Sequence, residues 1–427
     1  MIYDLIGVGF GPSNLAVAAA LHECKISKAS NNEFKSIFLE KKAKFSWHED
    51  MMLDGSYIQI SFLKDIAVMR DPSSQFTFLN YLKDNNRLSK FINLRTFYPS
   101  RIEFNDYLTW VANKLNYIAK YNCRVISVRP IWEGGKVEMI EVSYVNDNNK
   151  IINLLTKNII FSLGFVPCFP CSISEEVAER IFHTSQFLDK ISKINKNHKY
   201  KFNVIGSGQS AVECALYLHK EFVNASINLC IRAHALRSID DSHFVNEIFS
   251  PESRNEWFSA NTNIRSQLST EYRNSNFSAA DQDLLDRFYT TMYEEQIVGI
   301  SRLRVNTGLE LSTVKTSPEG KVRCIFNSIY TNADELNDDC DFLICGTGYQ
   351  PASVKDLLEN FSGLIKTDTQ NTPIITSKYK IEGEDNLKPK LFMLGCNELT
   401  HGISESLFSN MAVRSMEIMN ELFGEEK

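Results

Sequence analysis

The sequence predicts a mixed α/β fold with two βαβ units, each containing a glycine-rich turn between a strand and a helix. In residues 1–40 an apolar run, a glycine-rich turn, a helical pattern and a second apolar run follow in order. The same order returns after Lys201. The stretch from Asn261 to Tyr293 is polar, has helical periodicity and lacks strand signals, which predicts a small helical insertion. Together these patterns predict two Rossmann-like dinucleotide-binding domains and one helical insertion.

The first glycine-rich turn reads Gly7-Val8-Gly9-Phe10-Gly11-Pro12 and follows the apolar run Ile2 to Ile6. We expect Gly7 to allow the tight turn and Gly9 to let the backbone approach a pyrophosphate held at the helix N-terminus. Gly11 takes the place of the usual third glycine. Pro12 suits the first helical turn, because its missing N–H has no helical partner there.

An acidic residue supports a nucleotide site at this turn. Glu40 ends the second apolar run, Ser36 to Leu39, where a carboxylate accepts hydrogen bonds from the ribose hydroxyls. It lies further from the turn than the typical spacing of about 20 residues. The polar insert 26–35 accounts for the excess as a surface loop. An N-terminal site of this kind most often holds FAD, so we predict FAD here.

The second turn reads Gly206-Ser207-Gly208-Gln209-Ser210-Ala211 and lies between the strand Phe202 to Ile205 and a helical pattern. The next apolar run, Ser226 to Ile231, is followed by Arg232 rather than by an acid. An arginine there suits the 2′-phosphate of NADPH, with His234 and Arg237 close by. Two such sites in one chain imply hydride transfer from a nicotinamide to a flavin.

Weaker patterns complete the outline. Polar–apolar alternation from Val137 to Ile160, broken at 146–150, predicts an antiparallel hairpin. Further strands are predicted at Asp341 to Ile344 and Leu391 to Leu394, and a final helix is predicted to begin near Ser404.

These patterns suggest how the chain divides into domains. We predict an FAD-binding domain from residues 1–164 and 341–427. We predict an NADPH-binding domain from residues 165–237 and 300–340, and the helical insertion at 238–299.

Composition excludes several classes of protein. The chain has 427 residues, of which 43% are hydrophobic and 23% charged, as in soluble globular proteins. Its net charge is −6, with basic and acidic residues mixed, so no nucleic-acid partner is expected. The sequence contains no run of eighteen or more apolar residues, so it predicts no membrane span. The N-terminus lacks the basic region of a signal peptide, so we expect a cytoplasmic protein.

The ten cysteines give one further motif, the C-x-x-C of Cys168 and Cys171 in the proline-punctuated segment FVPCFPC. No second ligand pair accompanies it, so no metal site is predicted. A redox role remains an alternative, because flavin disulfide reductases of the thioredoxin-reductase kind carry such a pair.

Over nearly its whole length the sequence resembles the microbial N-hydroxylating flavin monooxygenases of siderophore biosynthesis, the L-ornithine N5- and L-lysine N6-monooxygenases. The segments that carry the resemblance are DLIGVGFGPSNLA, FSWHEDMML, IQISFLKDIAVMRDPSSQFTFLNYL, GSGQSAVE, DDSHFVNEIF, YRNSNFS, CGTGYQP and HGISESLFSNMAVR. The third of these and the NSNF segment look more like the ornithine branch than the lysine branch.

The resemblance implies roles for the matching residues. Those expected to contact FAD, besides the first turn, are Glu40, Trp47, His48, Gln59, Val125, Ser406, Leu407 and Phe408. Those expected to hold NADPH are Ser207, Gly208, Gln209, Ser210 and Arg232. Lys64 would bind the substrate carboxylate and lie near the nicotinamide. Asn246 would contact the substrate, Asn276 would lie between substrate and cofactor, and Ser409 would meet the substrate's carboxylate or amine. The helical insertion would thus bind substrate, and the resemblance suggests a homotetramer.

Two positions depart from the family pattern. His243 stands where the family usually has proline, and Phe408 stands where leucine is usual. The first lies in a segment expected near the substrate and the second in a segment expected to line the pocket, so both leave the choice of substrate open.

The reaction implied is hydroxylation of the ornithine side-chain amine with O2 through a C4a-hydroperoxyflavin, after NADPH has reduced FAD. Three alternatives remain at this point. The enzyme could act on L-lysine or on a diamine such as putrescine or cadaverine. It could instead be the disulfide reductase, or a flavin-binding protein without catalysis.

Overall fold

The computed structural model describes residues 1–27, 34–330 and 336–424. The middle of the predicted surface loop at 26–35 therefore lies outside the described residues. The described residues form both helices and strands, and two ten-residue strands form the longest hairpin among them. None of the described helices is both long and apolar enough to cross a membrane.

In chain order the strands are β1 (Ile2–Tyr3), β2 (Leu5–Val8), β3 (Ser36–Leu39), β4 (Ala119–Lys120), β5 (Arg124–Glu133), β6 (Lys136–Val145), β7 (Ile151–Thr156), β8 (Asn158–Phe161), β9 (Phe165–Pro167), β10 (Ile181–His183), β11 (Lys201–Ile205), β12 (Ser226–Cys230), β13 (Leu303–Asn306), β14 (Leu309–Thr316), β15 (Val322–Ser328), β16 (Leu336–Cys340), β17 (Phe342–Cys345), β18 (Tyr349–Pro351) and β19 (Lys390–Met393).

The α-helices are α1 (Pro12–Ser27), α2 (Phe78–Asp84), α3 (Leu88–Leu94), α4 (Arg101–Lys114), α5 (Phe187–Ser192), α6 (Gln209–Glu221), α7 (His243–Asn246), α8 (Pro251–Ser259), α9 (Thr262–Glu271), α10 (Gln282–Ile297), α11 (Lys355–Leu358), α12 (Glu398–His401) and α13 (Met411–Phe423).

The first parallel sheet has the strand order β19-β8-β2-β3-β4. Strand β2 is buried throughout, as expected for a parallel strand covered on both faces. The chain passes directly from β2 into α1, which packs against α13 and α4. The first glycine-rich turn therefore lies at the carboxyl end of a central strand, where α/β sheets bind their ligands.

The second parallel sheet has the order β10-β17-β11-β12-β13, and the second glycine-rich turn joins β11 to α6. Strand β17 pairs with β11, so the predicted boundary at residue 341 is wrong for this strand, which belongs to the second unit. The apolar pattern of the strand fits either sheet. Only the pairing, between segments far apart in sequence, distinguishes them.

The predicted hairpin is confirmed, because β6 and β7 pair antiparallel around a turn at 146–150 and β5 extends the same sheet. A smaller antiparallel sheet, β14-β15-β16, flanks the second unit. The predicted helical character of the insertion is also confirmed, with α7, α8, α9 and α10 in this part of the chain and α10 packed against α6.

The final helix begins at Met411, later than predicted. Residues 402–407 form turns and Phe408–Asn410 a short 3-10 helix instead, because Gly402 has a positive φ of 83° and buried hydrogen bonds hold the segment out of α-helical geometry. This segment reaches the site described next.

Candidate active site

One cavity of about 3250 Å³ lies between the two sheets and the helical insertion. Both glycine-rich turns line it, together with almost every residue that the sequence analysis singled out. Those in its wall are Gly9, Gly11, Pro12, Glu40, Trp47, His48, Gln59, Lys64, Val125, Ser207, Gly208, Gln209, Ser210, Arg232, Asn246, Asn276, Ser406, Leu407, Phe408 and Ser409.

The first glycine-rich turn is shaped for a ligand that approaches its backbone. Gly9 has a φ of +87°, and a Cβ there would lie 2.3 Å from the Ser162 carbonyl oxygen. A Cβ on Gly11 would meet only open space, since this residue faces the cavity. With α1 beginning at Pro12, the geometry fits a pyrophosphate at a helix N-terminus.

Gly7 has a different role from the one predicted. It lies within β2 rather than in the turn, and it is absent from the cavity wall described above. A Cβ at this position would come within 2.2 Å of the Phe38 ring on β3. The glycine therefore allows close packing of the ring against the neighbouring strand, and the turn itself depends on Gly9.

Glu40 is buried at the end of β3, where it holds the first turn in place. Its Oε2 accepts a hydrogen bond from the Phe10 N–H at 2.7 Å, and its Oε1 accepts one from the Lys42 N–H at 2.9 Å. Each carboxylate oxygen has a second lone pair. Glu40 can therefore still accept hydroxyl groups of a ligand in the cavity.

The second turn depends on close packing of glycines. Gly206 has a φ of +130°, and a Cβ there would lie 2.1 Å from the Gly346 carbonyl oxygen after β17. Gly208 has its nearest neighbours at 3.9 Å and leaves room for a ligand in front of α6.

Replacing Gly206 with alanine should therefore destabilise the second unit by about 1–3 kcal/mol, the range for strained backbone. Because its clash involves backbone, the Gly206→Ala protein should unfold at a lower urea concentration than Gly320→Ala. Gly320 also has a positive φ, but its Cβ would meet open space. Equal midpoints for the two variants would show that packing against Gly346 is unimportant.

Arg232 follows β12 at the cavity wall and forms an ion pair with Glu310 at 3.0 Å. Its side chain is 72% exposed. The pair is weak at such exposure, so the guanidinium remains available to an anionic ligand. His234 contacts the Tyr330 hydroxyl at 2.7 Å beside it.

Trp47, His48 and Phe408 form an aromatic wall. The Phe408 ring meets Trp47 edge-on at 5.4 Å between centroids, and Phe104 at 5.1 Å. Phe408, the second expected departure from the family pattern, is thus packed against Trp47. His48 has a left-handed backbone conformation and faces the cavity.

The protein around the cavity changes the ionisation of His48. Desolvation, reinforced by the charges of Arg101 and Lys42, lowers the pKa of His48 to about 4. Its imidazole is therefore neutral at neutral pH and can both donate and accept a hydrogen bond.

Lys64 ends a short turn, Phe62–Lys64, which Ser61 caps by accepting a hydrogen bond from the Leu63 N–H at 3.3 Å. The next residue, Asp65, is fully buried and accepts three backbone hydrogen bonds, including one from Phe78 at 2.7 Å. This anchor fixes where Lys64 enters the cavity. Half-burial lowers the pKa of the Lys64 ammonium, which the Glu247 carboxylate opposes.

Two asparagines enter the cavity from the helical insertion. Asn246 ends α7, and its Nδ2 donates to the Asp241 carbonyl oxygen at 2.7 Å, which leaves its Oδ1 to accept other donors. Asn276 follows the turn Arg273–Ser275. Ser409 is buried in a turn that contacts the Lys64 turn. A cation, two amides and a hydroxyl therefore line the same cavity.

His243 is the first residue of α7, and Ser242 precedes the helix. The first helical position is also where proline is favoured. His243 therefore occupies a helix position that would also accept the proline expected from the family resemblance.

Sequence reasoning missed two buried ion pairs beside the cavity. Arg101 donates two hydrogen bonds to Glu213, each at 2.9 Å, and one to the Met51 carbonyl oxygen at 2.7 Å. This pair joins α4 of the first unit to α6 of the second. The capping pair of Ser100 and Glu103 predicts where α4 begins, but no local pattern indicates that Arg101 meets Glu213.

The second missed pair is Arg414 with Glu405. Arg414 donates to Glu405 Oε1 at 2.7 Å and to the Ser13 hydroxyl at 2.8 Å, beside the first glycine-rich turn. Glu405 also accepts the backbone N–H groups of Gly395 at 2.8 Å and Asn397 at 3.2 Å. The pair therefore fastens the segment that carries Ser406 to Ser409 to the first unit.

The C-x-x-C pair lacks the features of a redox centre. Cys168 and Cys171 are free thiols, and only Cys168 lines the cavity. Burial raises the pKa of Cys171, which disfavours the reactive thiolate. Within the described parts of the chain, no group of three or more histidine, cysteine or acidic side chains could hold a metal ion.

The sequence pattern of the L-lysine 6-monooxygenase/L-ornithine 5-monooxygenase family matches residues 1–351. The chain belongs to this family. It is 34% identical to the L-ornithine N(5)-monooxygenase of Pseudomonas aeruginosa, over 99% of this chain and 94% of the relative. It is therefore an enzyme of a family of flavin-dependent monooxygenases.

Solved structures of family members agree. The ornithine N-hydroxylase of Kutzneria sp. 744, with reduced FAD, NADP⁺ and L-ornithine, matches with a TM-score of 0.92 and 30% identity over 99% of both chains. The L-lysine 6-monooxygenase of Pseudomonas syringae matches with a TM-score of 0.86 and 26% identity, over 98% of this chain and 99% of that one. Ornithine and lysine enzymes thus share this α/β fold.

Proposed function

We propose that this protein uses FAD, NADPH and O2 to hydroxylate the side-chain amine of L-ornithine. The observation that carries the proposal is one cavity lined by two glycine-rich turns and by Lys64, Asn246, Asn276 and Ser409. The ornithine enzymes among the relatives support the same substrate. The product would be a hydroxamate precursor for a siderophore.

The two units would each hold one dinucleotide, as Rossmann-like domains do. Gly9, Gly11 and Glu40 would hold FAD, since the open space at Gly11 fits a pyrophosphate and Glu40 retains free lone pairs for the ribose. Ser207 and Gly208 would hold NADPH, and exposed Arg232 would pair with its 2′-phosphate. FAD bound in this way would supply the hydride acceptor for NADPH and the chemistry that activates O2.

The chain's own residues would bind the amino acid by its charges. Lys64 supplies the cation that the substrate carboxylate needs. The free Oδ1 of Asn246 can accept a hydrogen bond from the α-ammonium of the substrate, because the Asn246 Nδ2 already donates to the Asp241 carbonyl oxygen. Asn276 and Ser409 complete a polar wall with no added charge.

The reacting amine must lose its proton before it can be hydroxylated. A free alkylamine has a pKa of about 10.4. Desolvation of the bound amine in the cavity would lower that value and favour the neutral form. Neutral His48, with its pKa near 4, adds no positive charge to compete for the substrate carboxylate.

The test is to offer ornithine, lysine, putrescine and cadaverine side by side to the FAD-loaded protein with NADPH, and to measure hydroxylamine formation. We expect product from ornithine in clear excess over the other three. Product mainly from lysine or a diamine would keep the fold and reaction but overturn the substrate. NADPH oxidation that no amine stimulates would overturn the proposal itself.

Lysine is the second candidate, because a lysine enzyme matches over nearly the whole chain. A homotetramer also remains a prediction, which light scattering on the purified protein tests.

A further inference from the structure

Asp281 stands directly before α10, in the position where aspartate normally caps a helix. Its side chain makes no capping hydrogen bond. Both carboxylate oxygens instead accept hydrogen bonds from glutamine side chains. Oδ1 accepts from Gln59 Nε2 at 3.0 Å, and Oδ2 accepts from Gln209 Nε2 at 3.0 Å. Asp281 therefore joins three segments that are far apart in sequence and does not cap its own helix.

Both side-chain N–H groups of Gln209 are engaged by the protein. Its Nε2 donates to both Glu213, at 2.9 Å, and Asp281, and its Oε1 accepts the Asp281 N–H at 2.9 Å. Its backbone N–H donates to the Ala279 carbonyl oxygen. Gln209 therefore has no free N–H for a cofactor, and it serves to hold the first turn of α6 against the helical insertion.

The Gln59 amide, by contrast, uses one of its two N–H groups on Asp281 and lines the cavity. An ionised carboxylate only accepts hydrogen bonds, so it draws the NH₂ end of Gln59 toward itself. The second N–H and the carbonyl oxygen remain for a ligand. Asp281 thus determines which end of this amide can meet that ligand.

We propose that Asp281 is a positioning residue that orients Gln59 and fixes the second glycine-rich turn relative to it. This inference rests on the proposed function, in which Gln59 contacts the flavin and the second turn holds NADPH. Asp281 touches neither cofactor in this scheme and acts through the two glutamines. Replacing Asp281 would release Gln59 from the second glycine-rich turn, and both βαβ units would stay folded.

The chain offers variants that separate positioning from stability. Asn and Ser cap helices about as well as Asp. Asp281→Asn has the same size but presents an NH₂ group to one glutamine, and Asp281→Ser is too short for both. Asp286→Asn on the same helix is the matched control, since Asp286 bonds only to exposed Gln282.

The experiment measures three quantities on FAD-loaded protein: the NADP⁺ dissociation constant by calorimetry, the rate constant of flavin reduction by NADPH, and the urea midpoint. We expect both Asp281 variants to bind NADP⁺ about tenfold more weakly and to reduce flavin about tenfold more slowly. The urea midpoint and the KM for ornithine should not change, and Asp286→Asn should match the unsubstituted protein throughout.

A double-mutant cycle tests the route through Gln59. Asp281→Asn should slow flavin reduction much less when Gln59 is already leucine than when it is intact. NADP⁺ affinity and reduction rate equal to those of the unsubstituted protein in both Asp281 variants would overturn the inference. If no amine is hydroxylated, the proposed function fails, and the NADP⁺ dissociation constants still decide the role of Asp281.

Discussion

Replacing Glu405 with glutamine is expected to destabilise the protein by about 3–5 kcal/mol, the effect of breaking a buried ion pair by removing one partner. Glu405 is 0% exposed, and Arg414, 1% exposed, would keep its charge without a counterion. The glutamine amide also has a single acceptor oxygen, so the N–H group of either Gly395 or Asn397 would lose its acceptor. The urea midpoint measures the loss, and the FAD content should fall with it, because Arg414 holds Ser13 beside the first turn.

The matched control is Glu382→Gln. Glu382 pairs with Lys366 at 3.6 Å on the surface, and such pairs contribute about 1 kcal/mol or less. The two substitutions are chemically identical. If the Glu405→Gln protein unfolds at the same urea concentration as the Glu382→Gln protein, the pair of Glu405 and Arg414 does not fasten the segment that carries Ser406 to Ser409.

Replacing Lys64 with alanine should lower kcat/KM for ornithine about 100-fold, since it removes a charge-assisted hydrogen bond to the substrate carboxylate. Turnover of putrescine, which has no carboxylate, should change little. Steady-state hydroxylamine assays on both amines measure the ratio. Lys83→Ala, which removes an exposed lysine on α2, is the control. An equal decrease in kcat/KM for ornithine and for putrescine would mean that Lys64 does not bind the carboxylate.

The pH dependence gives an independent check on Lys64. Burial lowers its pKa, so the charged form that binds a carboxylate disappears as the pH rises, earlier than for an exposed lysine. We therefore expect KM for ornithine to rise at alkaline pH below the ordinary lysine value of about 10.4. Lys64→Arg, which stays charged, should lack this rise.

The sequence predicts those features that residues close to one another along the chain determine. The turns at Gly9 and Gly206 are local patterns, and the structure has both between a strand and a helix. Gly7 was misinterpreted because its requirement comes from Phe38 on the adjacent strand.

The contacts that join the units escaped prediction for the same reason. Arg101 meets Glu213 and Gln59 meets Asp281 across more than a hundred residues of sequence. Neither pair leaves a spacing or periodicity that could be recognised. Phe408 was recognised as a departure, but its packing against Trp47 required the fold.

The chain enters the second unit through β9 and leaves it through β18, and these two strands pair antiparallel. The ends of the second unit therefore lie side by side, as in a cassette inserted into a host protein. Such a cassette can be exchanged for that of a relative by joining the chains at the paired strands. We expect the exchange to require an acid for Arg101 on the incoming helix, because the side chain of that arginine is only 11% exposed and would otherwise lose its counterion.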